Sequence, residues 1–365
     1  MVWLFGGRGT GLLWTLSLVH QLGIGDYGQN GMALAVTMIV GPSLDYASSV
    51  RAIRESEERF GAERTSRFLL AVSLLVLGLV LLPIVYFVGY GLMIAGGESA
   101  CNVVKSRLVR DGRPDRAYRI DTARQTTSVV AGCGYLYAAH EPTLMAASLM
   151  YCTPYVVIVA VGGLAVRKYR PALPGPPRLI AALTGEALAT TVYLQGDVLL
   201  LGWLTNTTVV GYYSLAWVVA GVVVAVGQSF AMTYHEPLRQ SEGALSGGPP
   251  LRHTLGLAAA GGALVLLTGI GLLVSPAPTQ LAVAMMIMSG FAALRTVSWV
   301  FQTILYNQRR DLIRFAAAVG LVPFKLGLLA ALAFLGAVGA AISTTVTDVL
   351  LLAIFTTALY RKRTP

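Results

Sequence analysis

The chain has 365 residues, 55% of them hydrophobic and only 12% charged, with a formal net charge of +10. A soluble protein of this length carries roughly a quarter charged residues, so most of this chain has to be solvated by lipid, and its class is an all-α polytopic membrane protein. The basic excess lies in short gaps between apolar stretches, which is loop charge rather than an RNA or DNA surface, so no nucleic-acid partner is expected.

Stretches apolar enough to span run, in chain order, over 2–21, 31–50, 68–82, 84–104, 124–139 and 143–166, then over 179–202, 208–233, 254–274, 280–305, 312–334 and 337–360. The first has no basic n-region followed by a small-residue cleavage site and reads as a retained span. The third and fourth form a hairpin turned at Pro83. Between the two sets of six, Pro171, Pro174 and Gly175-Pro176-Pro177 make an extended, semi-rigid linker. The expected organisation is therefore an N-terminal six-helix lobe (1–168), a Pro-rich linker (169–178) and a C-terminal six-helix lobe (179–365).

Charge tests this threading independently. Of 27 Lys and Arg, 24 fall in alternate gaps: five in 51–67, seven in 105–124, four in 167–178, two in 239–252, three in 309–314 and three in 361–363. The intervening gaps hold none. One missed or invented span would destroy that alternation, so twelve helices with both termini cytosolic follow from the positive-inside rule. The opposite loops are too short to form a domain, which leaves chemistry to the helix bundle or its cytosolic face.

The two halves echo each other. Gly28-Gln-Asn-Gly-Met-Ala-Leu-Ala35 enters the second helix after the turn Leu22 to Tyr27, and Gly211-Tyr-Tyr-Ser-Leu-Ala-Trp-Val218 enters the eighth after the turn Leu201 to Asn206. Helices one and seven run the same way, so the repeat is parallel, with a pseudo-two-fold along the membrane normal. At these residues the chain resembles the polysaccharide-flippase branch of the multidrug, oligosaccharidyl-lipid and polysaccharide exporter superfamily. The features that carry the resemblance are Leu22-Gly23 followed by Tyr27-Gly28, Leu44-Asp45-Tyr46 with Arg51, and the basic connector Lys105 to Arg119. Leu200-Leu-Gly-Trp203 and Val210-Gly-Tyr-Tyr213 add to it. The resemblance implies a transporter, not an enzyme, of a polyprenyl-pyrophosphate-linked oligosaccharide in the bacterial cytoplasmic (inner) membrane. It implies no cofactor beyond possible H⁺ or Na⁺ coupling, and as partners the lipid-linked oligosaccharide, membrane lipids and possible polysaccharide-assembly proteins.

Three cations lie inside apolar segments: Arg8, Arg295 and Lys325. A Lys or Arg at the centre of a spanning helix costs at least ~2.5 kcal/mol. Arg8, roughly 9 Å along its helix, can snorkel to the interface; Arg295 and Lys325, the latter beside Pro323, cannot. A cationic cavity for pyrophosphate is the functional reading of these three. The acids Asp197, Asp348, Glu98 and Glu186 are the ion-coupling or charge-pairing candidates, and a buried ion pair locking the second lobe is the structural alternative. Asp45 is expected beside Arg51 or Arg54.

Other motifs carry less. Gly6-Gly-Arg-Gly-Thr-Gly11 lacks the ending of a P-loop and reads as helix packing, as does Gly96-Gly-Glu-Ser-Ala100. Cys101, Cys133 and Cys152 show no metal-ligand spacing and no disulfide pattern. Tyr212, Tyr213 and Trp217 suit an aromatic belt or a sugar-stacking surface. Three alternatives stay open: a multidrug/cation or other small-molecule secondary transporter, a membrane polymerase or glycosyltransferase, and a non-transporting scaffold. The acidic cavity suited to cations, the extramembrane domain suited to synthesis and the basic loop of major facilitators after helix two are not found.

Overall fold

The computed structural model describes the backbone of residues 2–52 and 55–361 and the side chains of 9–48 and 55–361. Every regular element among them is helical. In the first half these are α1 (Val2–Leu22), α2 (Ile24–Ala52), α3 (Glu57–Leu81), α4 (Tyr86–Arg110), α5 (Pro114–Ala138), α6 (Leu144–Cys152) and α7 (Pro154–Val166). The second half has α8 (Pro177–Leu204), α9 (Thr207–Thr233), a short α10 (His235–Gln240), α11 (Leu251–Leu273), α12 (Thr279–Asn307), α13 (Asp311–Leu332) and α14 (Ala337–Tyr360).

α6 and α7 are one span interrupted at Pro154. Proline has no N–H to give Met150, and the Thr153 hydroxyl donates to that carbonyl instead at 2.7 Å. Counting them together gives twelve long helical units among the described residues, eight of which are long and apolar enough by composition to cross a membrane. The chain is an all-α, multi-pass membrane protein of about twelve helices. Helices α2, α4 and α5 carry many of the polar residues considered below, and this dilutes their hydropathy.

Several sequence-derived boundaries need correction. The second helix starts at Ile24 rather than 31, because Gly23, at φ +87°, makes the turn alone and Asp26 in the first helical turn suits the positive end of the helix dipole. The Gly28-Gln-Asn-Gly31 segment thus lies within the helix. In the second half the turn shrinks to Thr205 and Asn206, whose side chain caps α9 by accepting from Val209 N at 3.0 Å. The basic connector 105–124 is largely helical: α4 runs on to Arg110 and α5 begins at Pro114, a residue suited to a first helical turn. The helix around Pro323 continues unbroken through α13.

The chain divides into two compact units, residues 1–191 and 192–365, the division falling inside α8. In the first unit α4 is the hub, packed on α2, α3, α5, α6 and α7. In the second α12 has that place, packed on α9, α11 and α14. The fourth spanning helix of each half thus packs on the second and third of its own half, which is the internal repeat expressed as packing. Small residues make the hub of α4 possible. A side chain at Gly97 would run into the Tyr155 ring of α7, and one at Gly96 would meet the Ala71 carbonyl of α3 at 2.6 Å.

Candidate functional site

In the second unit, the face of α14 that carries Ser343, Thr344, Thr347 and Asp348 at helical spacing is buried among polar partners. Lys325 of α13, 2% exposed, places its ammonium 2.6 Å from Asp197 Oδ2 of α8 and donates to the Tyr193 carbonyl at 2.9 Å. Asp197 Oδ2 also accepts from the Tyr213 hydroxyl at 2.5 Å and the Thr344 hydroxyl at 2.9 Å, and Oδ1 accepts from Val198 N at 3.0 Å. Four donors reach this carboxylate.

The neighbouring pair is looser. Arg295 of α12, 5% exposed, approaches Asp348 Oδ1 only to 3.5 Å. Its guanidinium otherwise rests over the rings of Tyr193 at 5.4 Å and Trp299 at 5.7 Å, contacts that hold a cation without using its N–H donors. The Tyr193 hydroxyl donates to Asp348 Oδ1 at 2.6 Å, while the buried Oδ2 has no hydrogen-bond partner among the described residues. Tyr193 joins the two pairs, its carbonyl accepting a hydrogen bond from Lys325 and its hydroxyl donating one to Asp348.

The first unit holds a second polar layer. Arg67 of α3 pairs with Asp45 of α2 at 2.6 Å, and the same carboxylate accepts from Ser99 at 2.7 Å and Asn102 at 2.5 Å on α4. Arg124 of α5 pairs with Glu98 of α4 at 2.7 Å and donates to the Tyr155 hydroxyl at 3.0 Å. Lys105 pairs with Asp121 at 2.9 Å. A cavity of about 440 Å³ opens beside these groups. Its lining includes the cations Arg67, Lys105 and Arg110 against the carboxylates Asp45 and Asp121, with Tyr46 and Tyr118 as aromatic walls.

The structure thus sets Arg295 and Lys325 in buried ion pairs with Asp348 and Asp197, and Glu98 with Arg124. Glu186 is intermediate in exposure and joins none of these clusters. The side chains of Arg8, Arg51 and Arg54 lie outside the described residues. Asp45 pairs with Arg67. One expectation is corrected: Tyr213 is fully buried as a donor to Asp197 rather than part of an interfacial belt.

Sequence reasoning missed Arg67 and Arg124, both 8% exposed, by counting them as loop charge. The signal was present in α5, where Ala117, Arg124, Ser128 and Gly132 follow one helical stripe and are all buried. Among the described residues no cluster of three His, Cys, Asp or Glu side chains could hold a metal ion.

No protein-family model matches this sequence, and no curated protein does. Solved structures do match in fold. The lipid II flippase MurJ in an inward closed conformation aligns with a TM-score of 0.76 at 8% identity, covering 98% of this chain and 86% of that one. A multidrug resistance MATE family transporter of the MOP superfamily, inward-facing, aligns with a TM-score of 0.70 at 13% identity, covering 98% and 96%. At these identities the likeness is one of fold: the chain shares the helical architecture of these two solved structures.

Proposed function

We propose that this chain is a secondary transporter of the polysaccharide-flippase kind, moving a polyprenyl-pyrophosphate-linked oligosaccharide from the cytosolic to the outer leaflet of a bacterial inner membrane by alternating access. Both termini lie on the cytosolic side in this reading. The observation that carries it is the loosely held Arg295, a buried guanidinium with an ion-pair contact of 3.5 Å and aromatic faces beneath it. Its planar donors suit phosphate oxygens, which accept in pairs at shorter range than Asp348 does here. The fold likeness to a lipid II flippase supports the same substrate class.

In this scheme Arg295 exchanges Asp348 for the anionic head group. Asp348, left without its counter-charge, takes up H⁺ or Na⁺ at the unpartnered Oδ2, and the exchange keeps the interior near neutrality. Lys325 stays locked to Asp197 and supports the site rather than contacting substrate. An exporter of cationic drugs would favour an acidic lining, whereas the cavity of the first unit has three cations to two carboxylates.

The test is transport by Arg295→Gln in proteoliposomes loaded with a fluorescent lipid-linked oligosaccharide. Losing two charge-assisted hydrogen bonds should lower turnover by roughly a hundredfold, with Arg295→Lys partly active and the amount of inserted protein unchanged. Wild-type turnover by Arg295→Gln would remove Arg295 from the site.

A further inference from the structure

A second feature belongs to none of these clusters. Between α13 and α14 lies a groove of about 880 Å³ whose walls are apolar, including Leu312, Leu321, Leu350 and Ile354. Its rim is formed by Arg309, Arg310 and Arg361, and no carboxylate lines it. One Arg310 nitrogen donates to the Ala358 carbonyl near the end of α14. Arg309 and Arg361 have no ion-pair partner among the described residues, whereas Arg314 nearby is neutralised by Asp311 at 2.7 Å. Three guanidiniums are thus concentrated at one end of an apolar trough.

We infer that this groove binds an anionic phospholipid of the cytosolic leaflet, its phosphate held by Arg309, Arg310 and Arg361 and its acyl chains lying along α13 and α14. The dimensions fit. From Asp311 to Leu321 and from Leu350 to Tyr360 the helices each rise roughly 15 Å, about half of the ~30 Å hydrocarbon core. The trough therefore runs one leaflet deep. The arginines sit in basic gaps, on the side that the charge bias makes cytosolic. Clustered basic residues between spanning helices at that side recognise anionic head groups. A site whose cations stand at the membrane edge suits a lipid that remains in its leaflet, which separates it from the transported carrier. The inference does not depend on the proposed transport function.

The experiment is native mass spectrometry of the full chain in detergent, titrated separately with phosphatidylglycerol, phosphatidylcholine and a polyprenyl phosphate. Phosphatidylglycerol should be retained in preference to phosphatidylcholine. The triple variant Arg309→Gln, Arg310→Gln, Arg361→Gln should weaken that retention roughly tenfold or more. Because Arg310 also tethers α14, a second variant leaves the charges alone: Ala353→Trp should fill the trough and weaken retention as well. Equal retention of the two phospholipids would overturn the proposal, as would unchanged phosphatidylglycerol binding in both variants. So would displacement of phosphatidylglycerol by polyprenyl phosphate with loss of the latter in the triple variant, which would assign the groove to the carrier instead.

Discussion

The buried charges do not all carry the same meaning. Removing one partner of a buried pair leaves the other uncompensated, at a cost of about 3–5 kcal/mol, whereas neutralising both is often tolerated. Lys325→Met should therefore lower the thermal unfolding transition sharply, because Asp197 is left without its counter-charge in a site that is 0% exposed. Adding Asp197→Asn should recover most of that loss, since Tyr213 and Thr344 can still hydrogen-bond the amide oxygen. A fluorescence melt in detergent checks it, and a double variant no more stable than Lys325→Met would contradict the pairing. Lys325, Arg295, Asp197 and Asp348 were legible in the sequence because each is a charge deep within an apolar run. Their pairing was not, since it depends on how α8, α12, α13 and α14 pack. Arg67 and Arg124 stayed hidden because each sits where an apolar run begins, where linear hydropathy cannot tell a loop cation from one turned into the bundle.

At the scale of elements, one close approach is the contact of α4 with α7 through Gly97 and Tyr155. Gly97→Ala would push a methyl group into the Tyr155 ring, and overpacking of this kind costs about 1–3 kcal/mol. It would also displace the hydroxyl that receives a hydrogen bond from Arg124. The expected result is a lower unfolding temperature, with part of the loss recovered by Tyr155→Leu, which removes the ring atoms that the methyl group meets. Unchanged stability of Gly97→Ala would show that the ring moves freely. Helix α14, apolar over most of its length and preceded by Gly336, was legible to its end residues. Helix α5 was truncated because four of its first ten residues are charged, and its helicity rests on the Pro114 start and a buried stripe rather than on hydropathy. The short α10 had no apolar signal at all.

The whole molecule follows from a repeat of six helices and a one-sided charge distribution. The alternation of basic and uncharged gaps fits twelve helical units even though two of the counted cations are buried, because moving Arg67 and Arg124 into helices leaves every basic gap still basic. It predicts that single cysteines introduced at Ser246 and at Ala277 label from opposite faces of the membrane in a background lacking the native cysteines. Labelling from one face would break the threading.

The proposed transport rests on recognition of the charged pyrophosphate link of the lipid cargo. The most direct measurement compares, in the same proteoliposomes, a polyprenyl-pyrophosphate-linked oligosaccharide with an uncharged lipid-linked analogue bearing the same sugar. The expected result is protein-dependent movement of the first and none of the second. Equal movement of both, or movement of neither above protein-free vesicles, would contradict it.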